Sequence, residues 1–263
     1  MKVHRKPGLN IVKVGGQIIE DRVMLNVLLE RFAQMEGHKI LVHGGGKRAT
    51  EIEGKLGLES KVYKGRRITS GESLEVVVMV YAGLLNKTIV AGLQAKNCNA
   101  IGLCGADGNT ILAHKRPVGE VDFGFVGDIE QVNPRPISLL IKNEITPVFC
   151  ALTHNGKGQL LNTNADTIAS ELAVGLSGTF EVSLLYCFEK KGVLSNMEEA
   201  DSIIRKIDKN SYNQLLEQQI IGDGMLPKLH NCFNALEAGV HKVCIGDIGM
   251  LQQDAEEYTT ITL

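Results

Sequence analysis

Two glycine runs each close a short apolar stretch: Ile11-Val12-Lys13-Val14 runs into Gly15-Gly16, and Ile40-Leu41-Val42-His43 into Gly44-Gly45-Gly46. A glycine turn between a strand and a helix can aim bare backbone N–H groups at an anion, and two of them side by side suggest a phosphate cradle. Each could equally be a tight turn that lets a helix pack closely. Neither has the G-x-x-x-x-G-K-[ST] spacing of the P-loop or the G-x-G-x-x-G spacing of a dinucleotide fold. Lys13 sits inside its apolar stretch, just ahead of the turn. An ammonium is costly to bury unless it meets an anion, so Lys13 either marks an edge strand in water or reaches past the strand end to a phosphoryl group.

A polar knot, Asn162-Thr163-Asn164-Ala165-Asp166, separates an apolar strand from an apolar helix and holds more amide and acid groups than a helix cap needs. Later, Gly222-Asp223-Gly224-Met225 precedes Lys228 at the start of another helix, again placing a cation beside a glycine turn. His43 immediately precedes the second glycine run, within VHGGG, but is expected to take no part in the chemistry.

The elements that must hold these residues can be read from the hydrophobic pattern. Asn10 to Val14 and Lys39 to Val42 read as buried strands, with a helix between them carrying Met24, Val27, Leu28, Phe32 and Met35 on one face and stopping near Gly37. A short helix follows with Ala49, Ile52 and Leu56, and Thr69-Ser70-Gly71-Glu72 reads as a capping box opening a longer one. Ala100 to Leu103, Thr110 to Ala113 and Pro147 to Ala151 read as strands, the last turning through Asn155-Gly156 into a hairpin with Gln159 to Leu161. A helix from Asn164 carries Ala165, Ile168, Ala169 and Leu172 on one face. After Gly175 to Gly178 a fresh series begins: a strand at Phe180 to Phe188, helices near Asp201 to Gln219 and Met225 to Ala238, and a strand at Lys242 to Ile245. This order predicts an α/β fold, a mainly parallel central sheet with some hairpin strands, in two parts, 1–177 and 178–263.

Composition excludes several classes. The 263 residues carry 28 Lys and Arg against 30 Asp and Glu, a formal charge of -2, so no global basic field attracts nucleic acid. Hydrophobic residues at 44% and charged residues at 22% fit an ordinary globular chain. The longest apolar stretch, Val76 to Leu85, is bracketed by Glu75 and Asn86 and falls short of the ~18 residues of a membrane span. The start, MKVHRK, runs into Pro7 and Gly8 rather than an apolar signal segment, so a cytoplasmic protein is expected. The six cysteines form no C-x-x-C pair and read as reduced core residues, and the histidines show no ligand spacing, so no protein-held metal is expected.

Taken together, VKVGG, VHGGG, KGRRIT, DGN, FVGDIE, NTNADTIA and IGDGMLPK resemble, in order and spacing, the amino-acid kinase family, and most closely the branch of arginine biosynthesis that acts on N-acetyl-L-glutamate. The likeness covers nearly the whole chain; GRRIT with NTNAD is particular to that branch, whereas the glycine turns are shared across the family. It implies a three-layer α/β/α sandwich in which residues 1–177 bind the acyl-amino acid and dimerise, and residues 178–263 bind ATP. It implies transfer of the γ-phosphoryl of ATP to a side-chain carboxylate, with Mg2+ carried by the nucleotide and a homodimer as the working form.

Residue by residue, the resemblance makes Lys13 and Lys228 the lysines on either side of the transferring group and Asp166 the carboxylate that orients them. Gly15, Gly16, Gly44 and Gly45 would supply amides to the phosphates and the transition state. Arg67 would hold a substrate carboxylate, and Asn162 the α-carboxylate and amide region. The chemistry is coherent: a carboxylate is already a nucleophile at neutral pH, so alignment and charge neutralisation suffice without a general base. The same residues would serve another N-acylglutamate such as N-succinylglutamate, and a nucleotide-binding relative without turnover is the alternative of another class.

The chain departs from the family at two places. Tyr186 to Gly192 (YCFEKKG) stands where a T/S-D-V-x-G pattern is usual, and YTTITL replaces a terminal G-T-x-I pattern, with the last strand expected to survive. Only Met1 to Leu9 precede the first expected strand, so a plain dimer insensitive to arginine is expected, without the N-terminal helix of arginine-inhibited relatives.

Overall fold

The computed structural model describes residues 5–196, 199, 201–217 and 226–263. β1 (Gly8–Val14) leads to α1 (Gly16–Glu20) and α2 (Arg22–Gln34), and β2 (His38–His43) leads to α3 (Gly46–Lys55). The hairpin β3 (Lys61–Tyr63) and β4 (Arg66–Ile68) precedes a long helix made of α4 (Gly71–Val78), a π-helical stretch Met79–Leu85, and α5 (Asn86–Gln94). Then come β5 (Ala100–Leu103), β6 (Ile111–Lys115), β7 (Gly127–Val132), α6 (Pro134–Lys142), β8 (Thr146–Cys150), β9 (Leu152–His154), β10 (Leu160–Asn162) and α7 (Ala165–Ser177). β11 (Glu181–Cys187), β12 (Lys206–Ile207), α8 (Lys209–Glu217), α9 (Leu226–Glu237), β13 (Lys242–Gly246) and β14 (Thr259–Ile261) complete it.

Eight strands form the main sheet in the order β12-β14-β13-β11-β1-β2-β8-β5, parallel except where β13 meets β14. Its centre is β1, between β11 and β2, so Lys13 is on a central strand and the edge-strand alternative is excluded. Side chains alternate across a strand. Leu9 and Ile11 therefore join one core, with Ile168 and Leu172 of α7 and Leu229 and Phe233 of α9. Val12 and Val14 join the other, with Ile18, Leu28, Phe32, Ile89 and Leu93 from α1, α2 and α5. A sheet buried on both faces by helices is the three-layer α/β/α sandwich, and it accounts for the continuous apolar runs of β1 and β2.

A four-stranded sheet, β10-β9-β6-β7, lies apart from the main one. It contains the expected hairpin, with Gly156 and Gly158 at positive φ in the turn, but the strand expected at Pro147 to Ala151 stops at Cys150 and the chain changes sheet before Leu152. Two further local expectations are corrected. The helix cap is Ser70, whose side chain accepts from Ser73 N, because Thr69 is fully buried and its main chain is bonded to Phe123 and Phe125. Between β1 and α2 there is also an extra short helix, α1, set off by Asp21, which caps α2 by accepting from Val23 N and Met24 N.

The helix Gly71–Gln94 is long and apolar enough to cross a membrane by length and composition. Its Leu74, Val76, Val77, Val80, Tyr81, Ile89 and Leu93 are buried in the two cores, while Met79 and Leu84 are exposed. Five of the six cysteines are buried and all six are free thiols, and β14 is the retained last strand.

Candidate active site

In a doubly wound sheet the binding crevice opens beyond the carboxyl ends of the strands, where the chain leaves one strand to opposite sides. Here that point is the end of β1: the chain continues to β2 on one side and is joined later by β11 on the other. Both glycine runs lie there, Gly15-Gly16 after β1 and Gly44 to Gly46 after β2.

Lys13 shares the face of Leu9 and Ile11, the face covered by α7, and its Nζ lies 2.6 Å from Asp166 Oδ1. The pair is only partly shielded, with 15% of the Lys13 side chain and 22% of the Asp166 side chain exposed, so it stands at the cleft rather than in the core. The polar knot divides its labour. Asn164 caps α7, accepting from Asp166 N and Thr167 N, which leaves the Asp166 carboxylate for Lys13. Asn162 Nδ2 donates to Thr69 Oγ1 at 3.0 Å, tying the knot to the end of the GRRIT segment.

The glycines differ in what they can offer. Gly15 N donates to Cys187 O at 2.8 Å, so its amide belongs to the β1–β11 junction and not to a phosphate, which corrects the expected role of that N–H. Gly16 opens α1 with free space around the position a Cβ would take. Gly44 lies against Ala165, with a Cβ there 3.7 Å from the Ala165 Cβ, so the second glycine run borders the start of α7. Gly45 is crowded: a Cβ would collide with Leu85 and come within 2.9 Å of the Tyr81 ring. Both are on the π-helical stretch, which neither periodicity nor any motif had marked as part of the site.

Lys228 lies near the start of α9 with its Nζ 5.3 Å from the centre of the Phe188 ring, a cation–π contact. Phe188 in turn abuts Gly15, its Cβ 3.5 Å from where a Gly15 Cβ would be. Burial pushes the Cys232 thiol pKa up, Asp166 adds to the rise and Lys228 opposes it, so both charges act on that one buried residue of α9. Phe188 of the divergent YCFEKKG segment thus links Lys228 to Gly15, two residues beyond Lys13. Gly222 to Met225 lie outside the described residues.

Arg67 is held more firmly than expected. One terminal nitrogen meets Glu53 and the Ser60 hydroxyl, and the other donates to Gly46 O at 2.8 Å and to Thr50. Glu53 is 1% exposed; burial pushes its pKa up, but hydrogen bonds from Ser60, Ser73 and Arg67 outweigh this and hold it below the usual carboxylate range. Arg67 thus lies beside the first turn of α3 with both terminal nitrogens engaged within the chain. Nothing in the residue pattern marks Glu53 as this partner, because an acid in the middle of a charged helix reads as solvent-facing.

The donor set of a free helix-opening amide, a second bare glycine run and two ammonium groups suits a polyphosphate. Among the described residues no three His, Cys, Asp or Glu side chains are grouped to hold a metal.

Residues 8–247 match the model of the Amino acid kinase family. The acetylglutamate kinase of Phocaeicola vulgatus is 55% identical over 240 residues, covering 91% of this chain and 93% of that protein. That of Cytophaga hutchinsonii is 52% identical over 254 residues, covering 96% of each. The solved structure of carbamate kinase from Giardia lamblia superposes over 98% of each chain with a TM-score of 0.69 at 13% identity, a likeness of fold.

Proposed function

We propose, for a chain that belongs to the amino acid kinase family, that it transfers the γ-phosphoryl of ATP to the side-chain carboxylate of N-acetyl-L-glutamate, giving an acyl phosphate in arginine biosynthesis. The observation that carries the chemistry is the Lys13–Asp166 ion pair at 2.6 Å at the end of the central strand, bordered by two glycine runs.

ATP supplies the phosphoryl group, and Mg2+ enters with it. Lys13 neutralises charge as it builds on the transferring group, and Asp166 fixes the direction of that ammonium. Lys228, seated on Phe188, faces the nucleotide side. The Gly16 and Gly45 amides supply hydrogen bonds, and because they belong to a folded backbone they need no reorganisation when charge moves. Gly44 and Asn162 border the acceptor, Asn162 being held by Thr69, and Arg67 faces its carboxylate from a guanidinium already fixed by Glu53. Residues 1–177 serve the acyl-amino acid and 178–263 the nucleotide. The enzyme works in the cytoplasm, where six free thiols persist, as a homodimer supported by exposed Met79 and Leu84 on the long helix and Ile101 on the edge strand β5.

A hydroxamate assay with ATP tests this reading across glutamate, N-acetylglutamate and N-succinylglutamate. Turnover of N-acetylglutamate is expected. ATP binding with no hydroxamate from any acylated glutamate would reject a kinase, and turnover of the succinyl compound alone would reassign the acyl group. Light scattering behind gel filtration, expected to give twice the chain mass, checks the dimer.

A further inference from the structure

His43 ends β2 with no exposed surface, between Val14 of β1 and Cys150 of β8. Its Nδ1 lies 2.8 Å from Gly44 O and its Nε2 3.1 Å from Asn86 Nδ2. The Asn86 amide is oriented at both ends: Nδ2 also donates to Val148 O at 2.9 Å, and Oδ1 accepts from Lys87 Nζ at 3.2 Å. A carbonyl oxygen can only accept and an amide nitrogen can only donate. One ring state satisfies both neighbours: the neutral imidazole with its hydrogen on Nδ1 and its lone pair on Nε2.

Gly44 O and Gly45 N belong to one peptide unit. That unit is trans and planar, so its C=O and N–H point to opposite sides. Holding Gly44 O against the buried ring therefore turns Gly45 N–H the other way, out of the core, and among the described residues that amide has no acceptor. With glycine on both sides, the unit would otherwise flip at little cost. The long helix supplies the frame. Its π-helical stretch brings Tyr81 against Gly45 while Asn86, just beyond it, reaches His43.

We propose that His43, held by Asn86 in its neutral Nδ1–H tautomer, is a positioning residue that locks the Gly44–Gly45 peptide so that Gly45 N–H faces the transferring phosphoryl group. This rests on the kinase reading above. Burial agrees with it, since it pulls the His43 pKa down to about 4, the Gly44 contact opposing and Lys87 assisting, and so keeps the ring neutral.

Two measurements test it. In His43→Leu the donor is lost, whereas in His43→Asn the amide nitrogen stands near the place of Nδ1 and can still donate. His43→Leu is expected to lower kcat about 10²-fold, the scale of losing one preorganised amide, with KM for both substrates nearly unchanged, and His43→Asn to recover most of the loss. Equal loss in the two variants, a loss confined to KM, or wild-type kcat in His43→Leu would overturn the proposal. Should the leucine variant not fold, 15N spectroscopy of the wild-type imidazole decides: the Nδ1–H tautomer at neutral pH is required, and the Nε2–H tautomer or an imidazolium would refute it. Wild-type protein that phosphorylates no acylated glutamate would sink the kinase reading while leaving the tautomer result standing.

Discussion

Lys13 and Asp166 lie 153 positions apart in the chain (166 less 13) and meet at 2.6 Å because a central strand ends where a helix begins. β1 delivers the ammonium, α7 delivers the carboxylate, and Asn164 takes over the capping that would otherwise engage Asp166. The pair is a charge held in place before any substrate arrives.

Replacing Lys13 by Met should lower kcat roughly 10²- to 10³-fold, about 3–4 kcal/mol of transition-state stabilisation, with a smaller change in KM. Steady-state kinetics with varied ATP and acetylglutamate check this. Asp166→Asn should follow in the same direction, since the ammonium keeps its charge but loses its aim. A Lys13 variant with near-normal kcat would remove the basis of the mechanism.

Arg67→Ala should cost about 3–5 kcal/mol of folding stability, because it leaves the Glu53 carboxylate buried without its counter-charge. Urea unfolding measures it. Arg67→Lys keeps a charge but not the planar fork, and should raise KM for the acyl-amino acid while lowering stability less. Unchanged KM would show that Arg67 only braces α3.

Gly45→Ala and Gly16→Ala should separate packing from access. The methyl at position 45 would meet Leu85 and the Tyr81 ring, so loss of about 1–3 kcal/mol in stability together with loss of turnover is expected. At position 16 the methyl enters open space, so stability should hold while KM for ATP rises. Thermal melts beside kinetics distinguish the two; a Gly16→Ala protein that melts early would contradict the structure.

Stability should fall with acid in a window set by His43. Its pKa is lowered in the folded protein from 6.5 to about 4, so the unfolded chain binds the extra proton first. The contribution is therefore complete above pH 6.5 and is lost as pH falls towards 4, by up to about 3 kcal/mol. Urea titrations at pH 7 and pH 4.5 should show a drop that shrinks in His43→Asn; an identical drop in both proteins would assign the acid sensitivity elsewhere.

Much of this site was legible in the sequence because its parts are local. A lysine in an apolar strand, glycines at strand ends and a polar knot before a helix each state their own geometry; the resemblance pairs Asp166 with both Lys13 and Lys228, and among the described residues the ion pair is with Lys13, whereas Lys228 rests over Phe188. What escaped was set by contacts between distant segments. Glu53 looks like surface helix until Ser60, Ser73 and Arg67 close over it. The Gly15 amide looks available until β11 arrives to take it, and the bearing of Tyr81, Leu85 and Asn86 on the glycine run depends on a change of helical pitch that no apolar spacing encodes. Thr69 reads as a cap only until its main-chain partners, Phe123 and Phe125, more than fifty positions downstream, close on it.

The seam between β1 and β11 runs in register from Gly8 with Glu181 to Val14 with Cys187. The strands on either side of that seam therefore share one continuous sheet as a keel, and parting them there would break main-chain bonds. Displacing one flank of the sheet against the other would have to twist that keel, and Phe188, which carries the cation–π contact to Lys228, lies just beyond its end.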